Sequence, residues 1–238
     1  MGDLTLGFDT ATDLTTVAVV DPSSEILSER RSGPAVEERP AHASDLLPAI
    51  EDSVTEAGGW ERIGKICVGV GPGSFTGIRV AVATGRALAQ ATGCDVVPVS
   101  TLAALAEGAG GLTEADGRDR LAVLDARRNE AFLRLVAPDG SVLIEDCCVD
   151  SDGLAEIVEA AGSAPVAFGG GSLRFASELE ACGAEVLESS SPAHSVSAAD
   201  LCRLAPGSAV GSIDEIEPVY LREPDARRWL ERGAKSDD

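Results

Sequence analysis

The stretch that most constrains this chain is Gly71-Pro72-Gly73-Ser74-Phe75-Thr76-Gly77-Ile78-Arg79. A short apolar run, Ile66-Cys67-Val68-Gly69-Val70, precedes it and reads as a buried strand. Val80 to Gln90 follows it as a helix, so the order is strand, glycine-rich loop, helix. Three glycines and a proline fix an unusual backbone path, because glycine alone takes positive φ without steric cost. The loop ends where a helix begins, so unpaired N–H groups and the positive end of the helix dipole point into it. That arrangement attracts anions, phosphates above all. The spacing fits neither the P-loop, which needs Gly-Lys-Ser/Thr, nor the dinucleotide fingerprint. The same composition also serves as a plain strand-to-helix turn that binds nothing.

The helix after the loop is small on almost every side, through Ala81, Ala83, Gly85, Ala87 and Ala89. Arg79, Arg86 and Gln90 fall on one face at helical spacing. So little bulk lets another element approach closely, in the core or across a subunit interface. Gly85 inside the helix costs about 1 kcal/mol relative to Ala, and close packing there is the expected compensation.

At 238 residues, with 44% hydrophobic content, the chain is long and apolar enough for one large domain or two small ones. A net charge of −21 opposes non-specific binding to nucleic acid, though Arg127-Arg128 and Arg227-Arg228 are candidate local basic patches. No apolar run approaches a membrane span and no signal peptide is evident at the N-terminus. The six cysteines form no C-x-x-C pair and read as small hydrophobes in a reducing compartment; Cys147 and Cys148, being adjacent, point to opposite faces of a strand.

Along the chain, Leu4–Phe8 is a strand that delivers Asp9-Thr10-Ala11-Thr12, followed by strands at Thr15–Val20 and Glu25–Arg31. This start resembles the phosphate-1 loop of actin-like ATPases, in which Asp and Thr approach metal and phosphate. In the segment Arg39–Gly58, Ala43, Leu46, Leu47, Ile50, Val54 and Ala57 make one apolar stripe of a helix, with Ser44 as its N-cap and Gly58-Gly59 as its stop. Pro48 either sits in the first turn or kinks the helix. His42 reads as a solvated or capping residue, since Leu46 stands where a second ligand would be. Strand Asp95–Val99 and helix Ser100–Gly108 follow, then a polar linker, Gly110–Arg120. Beyond it come strand Leu121–Leu124, a polar turn Asp125–Glu130, and strand Ala131–Val136. Pro138-Asp139-Gly140 is a hairpin turn, Ser151–Ala161 a helix capped by Ser151, and Val166–Phe168 a strand feeding Gly169-Gly170-Gly171-Ser172. The halves echo each other, with hairpins first and a glycine turn opening a helix later. The linker divides the chain into 1–110 and 111–238, with the C-terminal segment placed to pack back on the first part.

The stretches GPGSFTGIRVAVATGRALA, FDTAT, AHASDLLPAI, VPVSTLAALAEG, LDARRNEAF and the late Pro218-Val219-Tyr220-Leu221-Arg222 together resemble the TsaB (YeaZ) family. The resemblance is collinear over residues 4–132 and again over 217–229. It implies an α/β fold of the actin-like ATPase class: two similar domains with mixed five-stranded sheets flanked by helices, the second degenerate. It also implies a cytoplasmic, non-catalytic partner of TsaD, acting with TsaE in making threonylcarbamoyladenosine on tRNAs that read A-starting codons. A homodimer, a TsaD heterodimer, and tRNA contact only through the complex belong to the same implication. So does a partner interface on the two helices, for which the candidates are Leu46, Leu47, Ile50, Val54, Ile78, Arg79, Val82 and Arg86. The alternative for the Leu/Ile stripe is packing on the chain's own sheet.

TsaD carries a metal-binding His-x-x-x-His helix after its own Gly-Pro-Gly helix, and the matching stretch here offers Thr101 and Leu105. With only His42 and His194 in the chain, a catalytic metal or a metallopeptidase is hard to build. The expectation is therefore no catalytic residue, no metal and no cofactor of its own, beyond weak ATP or ADP binding. Candidates for that residual nucleotide site are Asp9, Thr10, Thr12, Gly71, Gly73 and Ser74. The competing function is an active actin-like phosphotransferase or ATPase built on Asp9, Thr10 and Gly73.

Overall fold

A computed structural model describes residues 2–34, 40–161, 164–205 and 212–222. Strands β1 (Leu4–Asp9), β2 (Thr15–Val20) and β3 (Ile26–Ser32) form an antiparallel meander, and β4 (Ile63–Gly69) and β5 (Asp95–Val99) add in parallel beside β1. The resulting order is β3-β2-β1-β4-β5. A second sheet repeats the plan with β6 (Arg120–Arg127), β7 (Glu130–Val136), β8 (Val142–Asp150), β9 (Val166–Phe168) and β10 (Glu185–Val186), in the order β10-β9-β6-β7-β8. The two lobes thus share one topology, and the second is pared down, since β9 and β10 span only 3 and 2 residues.

Helices α1 (His42–Glu56) and α2 (Phe75–Thr92) cover the outer face of the first sheet, and α4 (Ser151–Ala160) and α6 (Ala176–Ala181) that of the second. Between the sheets lie α3 (Thr101–Ala109) and α7 (Ala198–Leu204), while the short α5 (Gly170–Arg174) follows β9 onto β6. The central strands are apolar on both sides because both faces are covered. On β4, Ile66 and Val68 turn toward α1 and α2, while Cys67 turns into the layer shared by the lobes. On β8 the adjacent thiols part as the strand period demands, Cys148 packing on the shared layer and Cys147 on the outer one.

Several sequence readings shift in detail. Helix α1 starts at His42 with Ala41 in the cap position, and Ser44, expected to cap it, instead donates its hydroxyl to the Ala41 carbonyl at 2.9 Å. Its 15 residues run through Pro48, which lies on the exposed face beyond the first turn. His42 is buried rather than solvated, with Nδ1 2.8 Å from Thr15 Oγ1, and burial lowers its pKa. Asp150, not Ser151, caps α4, accepting from Gly153 N–H at 2.9 Å. The polar turn after β6 is shorter than expected, because the strand continues to Arg127 and pairs with Glu130.

The C-terminal part returns to the first lobe. Helix α7 packs on β1 and β2, and Ile216 is fully buried in the core beneath α2. Gly85 marks a close approach of α2 to β4, since a methyl group there would run into the Val68 side chain. Gly85→Ala therefore sets a gain in helix propensity of about 1 kcal/mol against an overpacking cost of about 1–3 kcal/mol. The expected net result is a lower urea midpoint with an unchanged slope.

Candidate functional site: the glycine loop and the outer face of α2

Asp9 ends β1 and Gly71 begins the loop after the neighbouring strand β4, so the topology brings the two sequence signals together. Asp9 Oδ1 accepts from Ala11 N–H at 2.7 Å and Oδ2 from the Thr101 hydroxyl at 2.7 Å. Thr101 in turn donates its N–H to the Gly71 carbonyl at 2.9 Å. Gly71 has φ 97°, a value open to glycine, and the Gly71–Pro72 peptide is cis. Thr10 Oγ1 donates to the Gly77 carbonyl at 2.7 Å, and the Ser74 N–H donates to the Ala11 carbonyl at 2.6 Å. Gly73 and Gly77 lie so close against Ala11 and Thr10 that a side chain at either position would strike their backbone. Ser74 caps α2, its hydroxyl accepting from Gly77 N–H at 3.3 Å.

The loop is therefore closed on the turn after β1. Asp9 and Thr10 are fully buried and turned inward, and Thr12 is half-buried at the turn, its hydroxyl accepting from Leu14 N–H at 3.3 Å. As metal or phosphate ligands, Asp9 and Thr10 would have to leave these bonds. Their residue types match a phosphate loop, but their side chains serve as struts. Burial raises the Asp9 pKa above its usual 3.8, outweighing the two hydrogen bonds that lower it. Among the described residues, no group of three His, Cys, Asp or Glu side chains is arranged to hold a metal ion.

The second lobe carries the counterpart of this turn. Asp125 Oδ1 accepts from Arg127 N–H at 2.7 Å, as Asp9 does from Ala11, and Arg174 Nη1 lies 2.9 Å from both Asp125 oxygens. Arg127, Arg128 and Asn129 all take positive φ at the tip. Arg127 faces carboxylates, 3.5 Å from Asp125 and 3.7 Å from Asp13 of the first lobe, so at Arg127 the expected basic patch is neutralised. Arg227-Arg228 lie outside the described residues.

Of the expected interface residues, Leu46, Ile50, Val54, Ile78 and Val82 are corrected to core positions. The reason is that α1 and α2 each have one apolar side, and the sheet takes it. Leu47 and Arg79 are exposed, and Arg86 is half-buried, with Nη2 donating to the Asp214 carbonyl at 2.9 Å. Sequence reasoning missed two neighbours of Arg79. Phe75 is 56% exposed and Tyr220 45% exposed, with ring centroids 5.3 Å apart, and Arg79 Nε donates to Tyr220 Oη at 2.8 Å. The Arg79 guanidinium also lies 3.8 Å from the Phe75 ring centroid, a cation–π stack. A phenylalanine at the first position of a helix whose apolar side starts at Ile78 was the available signal.

A family profile described as TsaD, tRNA N6-adenosine threonylcarbamoyltransferase, matches residues 34–236. Over 96 residues the chain is 35% identical to TsaB, a tRNA threonylcarbamoyladenosine biosynthesis protein of Haemophilus influenzae, covering 40% of each protein. YeaZ from Pseudomonas aeruginosa superposes with a TM-score of 0.75 at 26% identity, over 93% of this chain and 100% of that one. The chain belongs to the TsaD family, and within it to the TsaB (YeaZ) group. The tRNA N6-adenosine threonylcarbamoyltransferase of Sphingopyxis alaskensis is also similar, 31% identical over 111 residues, covering 42% of this chain and 32% of that enzyme. The chain spans about two fifths of the length of the TsaB protein it matches at 35% identity. In this TsaB-group chain both lobes keep the same five-strand order, while the turn after β1 is closed on the glycine loop by its own hydrogen bonds.

Asp9→Asn tests that closure through pH. A carboxyl with a raised folded pKa favours folding in its protonated form. Its contribution is best below pH 3.8 and is lost as pH rises through the folded value. The difference in melting temperature between Asp9→Asn and the native chain should therefore move in the variant's favour from pH 4 to pH 8. A constant difference across that range would place Asp9 in contact with solvent.

Proposed function

We propose that this chain is a non-catalytic partner of a TsaD-type transferase, required with TsaE for threonylcarbamoyl transfer to the adenosine beside the anticodon of tRNAs reading A-starting codons. The single observation that carries the reading is the closed loop. Asp9, Thr10 and the Ser74 N–H are spent on internal bonds, whereas the conspicuous exposed chemistry lies on the outer side of α2. The family match supports the pathway, and the similarity to a transferase supports a paralogous partner of like fold. In this reading tRNA is reached through the complex, consistent with the chain's net charge of −21. Among the described residues no helix is long and apolar enough to cross a membrane. The docking face includes Leu47, Arg79 and Arg86, with the buried members of both helices shaping it from beneath. Self-association through the same face is the competing use of this surface, and weak ATP or ADP binding by the isolated chain is a residual property rather than its task.

Reconstitution is the test. Transfer to tRNA is measured with the transferase, TsaE and threonylcarbamoyl-adenylate, with this chain omitted and then restored. Activity is expected only when both paralogues are present, and transfer by this chain without the transferase would overturn the proposal. Arg79→Glu should reduce co-purification with the transferase by at least about tenfold while leaving the melting temperature within a few degrees. Undiminished complex formation would remove Arg79 from the interface.

A further inference from the structure

Residues 217–222 cross from one lobe to the other. They leave the fully buried Ile216, and the Val219 N–H donates to the Val70 carbonyl at 2.8 Å, directly before the glycine loop. Tyr220 turns outward onto α2 and meets Phe75 and Arg79. Leu221 turns inward onto the core between the lobes, the alternation expected of extended chain. Arg222 then reaches the second lobe. Its Nη1 donates to the Ala126 carbonyl at 3.0 Å, and its Nε lies 3.0 Å from Glu130 Oε2, with side chains only 19% and 16% exposed.

We infer that this segment is a strap that builds part of the partner-docking surface, with Tyr220 as its anchor and Arg222 as the positioning residue that holds it. The inference rests on the partner reading above and adds residues that reading does not contain. Phe75 and Tyr220 are exposed rings in contact, with the guanidinium of Arg79 stacked 3.8 Å from the Phe75 centroid and 5.8 Å from that of Tyr220, and Val219 is also exposed on the same segment. Exposed aromatic and arginine side chains in one cluster are the composition of an interface hot spot. Arg79 Nε is spent on Tyr220, and among the described residues no hydrogen bond uses its two terminal amino groups, so both are available to an incoming carboxylate. The occupant that fits is a protein partner, the TsaD-type transferase, presenting a carboxylate to Arg79 and an apolar side chain to the rings. A second copy fits less well, because two chains of −21 repel over the rest of their surfaces. The surface is composite: α2 supplies one half, and the strap supplies the other only while its far end is held on the second lobe.

The test is affinity of the full chain for the purified transferase, measured by calorimetry or biolayer interferometry, with a thermal melt for each variant. Phe75→Ala and Tyr220→Ala should each weaken binding about tenfold or more. Tyr220→Phe, which keeps the ring, should lose only a few-fold. Arg222→Ala should weaken binding although it touches no part of α2, and its effect should vanish in the Tyr220→Ala background. An effect of general destabilisation would persist there, so additivity in this double-mutant cycle overturns the positioning role. If Arg222→Ala does not fold, Glu130→Gln loosens the same end of the strap and is scored by the same cycle. Should Arg79→Glu abolish binding while the strap variants bind normally, the partner reading stands and the strap inference falls. Should none of them change binding, the surface lies elsewhere and the strap inference falls while the partner reading stands; no binding by the native chain would overturn both. Self-association that responds to these variants, without transferase binding, would assign the surface to a second copy and overturn the occupant.

Discussion

The structure depends on the way the turn after β1 is fastened to the loop before α2. Asp9 holds Ala11 and Thr101, Thr10 holds Gly77, and the Ser74 N–H holds Ala11. A helix N-terminus preceded by glycines is built to receive an anion, and here part of that capacity is met by the chain's own carbonyl and hydroxyl oxygens. The same bonds fix where α2 begins and hence how its outer face is presented. Asp9 also ties β1 to the start of α3, which lies between the two sheets, so the closure reaches the layer on which both lobes pack. A buried carboxylate without a cation beside it is costly, and the raised Asp9 pKa records that cost.

The repeated sheet order gives each lobe an Asp in the last residues of its first strand that accepts from the N–H two residues on. In the first lobe that Asp is sealed by Thr101, and in the second Asp125 is engaged by Arg174. The C-terminal portion then reconnects what the repeat separates. Helix α7 lies on β1 and β2, Ile216 enters the first core, and Arg222 ends on the second lobe. Side chains at residues far apart in sequence thus set one surface on α2.

Much of this was legible in the chain. The β1–β2–β3 meander, the loop-to-helix junction, the duplicated plan and the Gly85 contact all follow from local pattern, because alternation, turn residues and a small residue in a helix each have one economical solution. The α1 stripe was legible as amphipathic, but the side it faces was not, since periodicity gives a face and not its partner. Leu46, Ile50 and Val54 therefore turned out to serve the sheet. The contacts of Asp9 and Thr10 were not legible for a related reason. Their types fit a phosphate loop, and only the position of Thr101, 92 residues away, shows that the carboxylate is already engaged. Tyr220 and Arg222 stand in the Pro218–Arg222 motif, but their contacts span 141 and 96 residues and no local pattern encodes them.

The central claim is that the chain's phosphate-side groups are spent on its own closure and that it works by docking. The most direct measurement is calorimetric titration of the isolated chain with Mg·ATP, beside the Thr101→Ala variant that frees one Asp9 oxygen. The account predicts no saturable binding by the native chain below about 1 mM, an affinity weaker than about −4 kcal/mol. Saturable binding by the native chain in the micromolar range, with turnover, would contradict it and make Asp9 and Gly73 an active site.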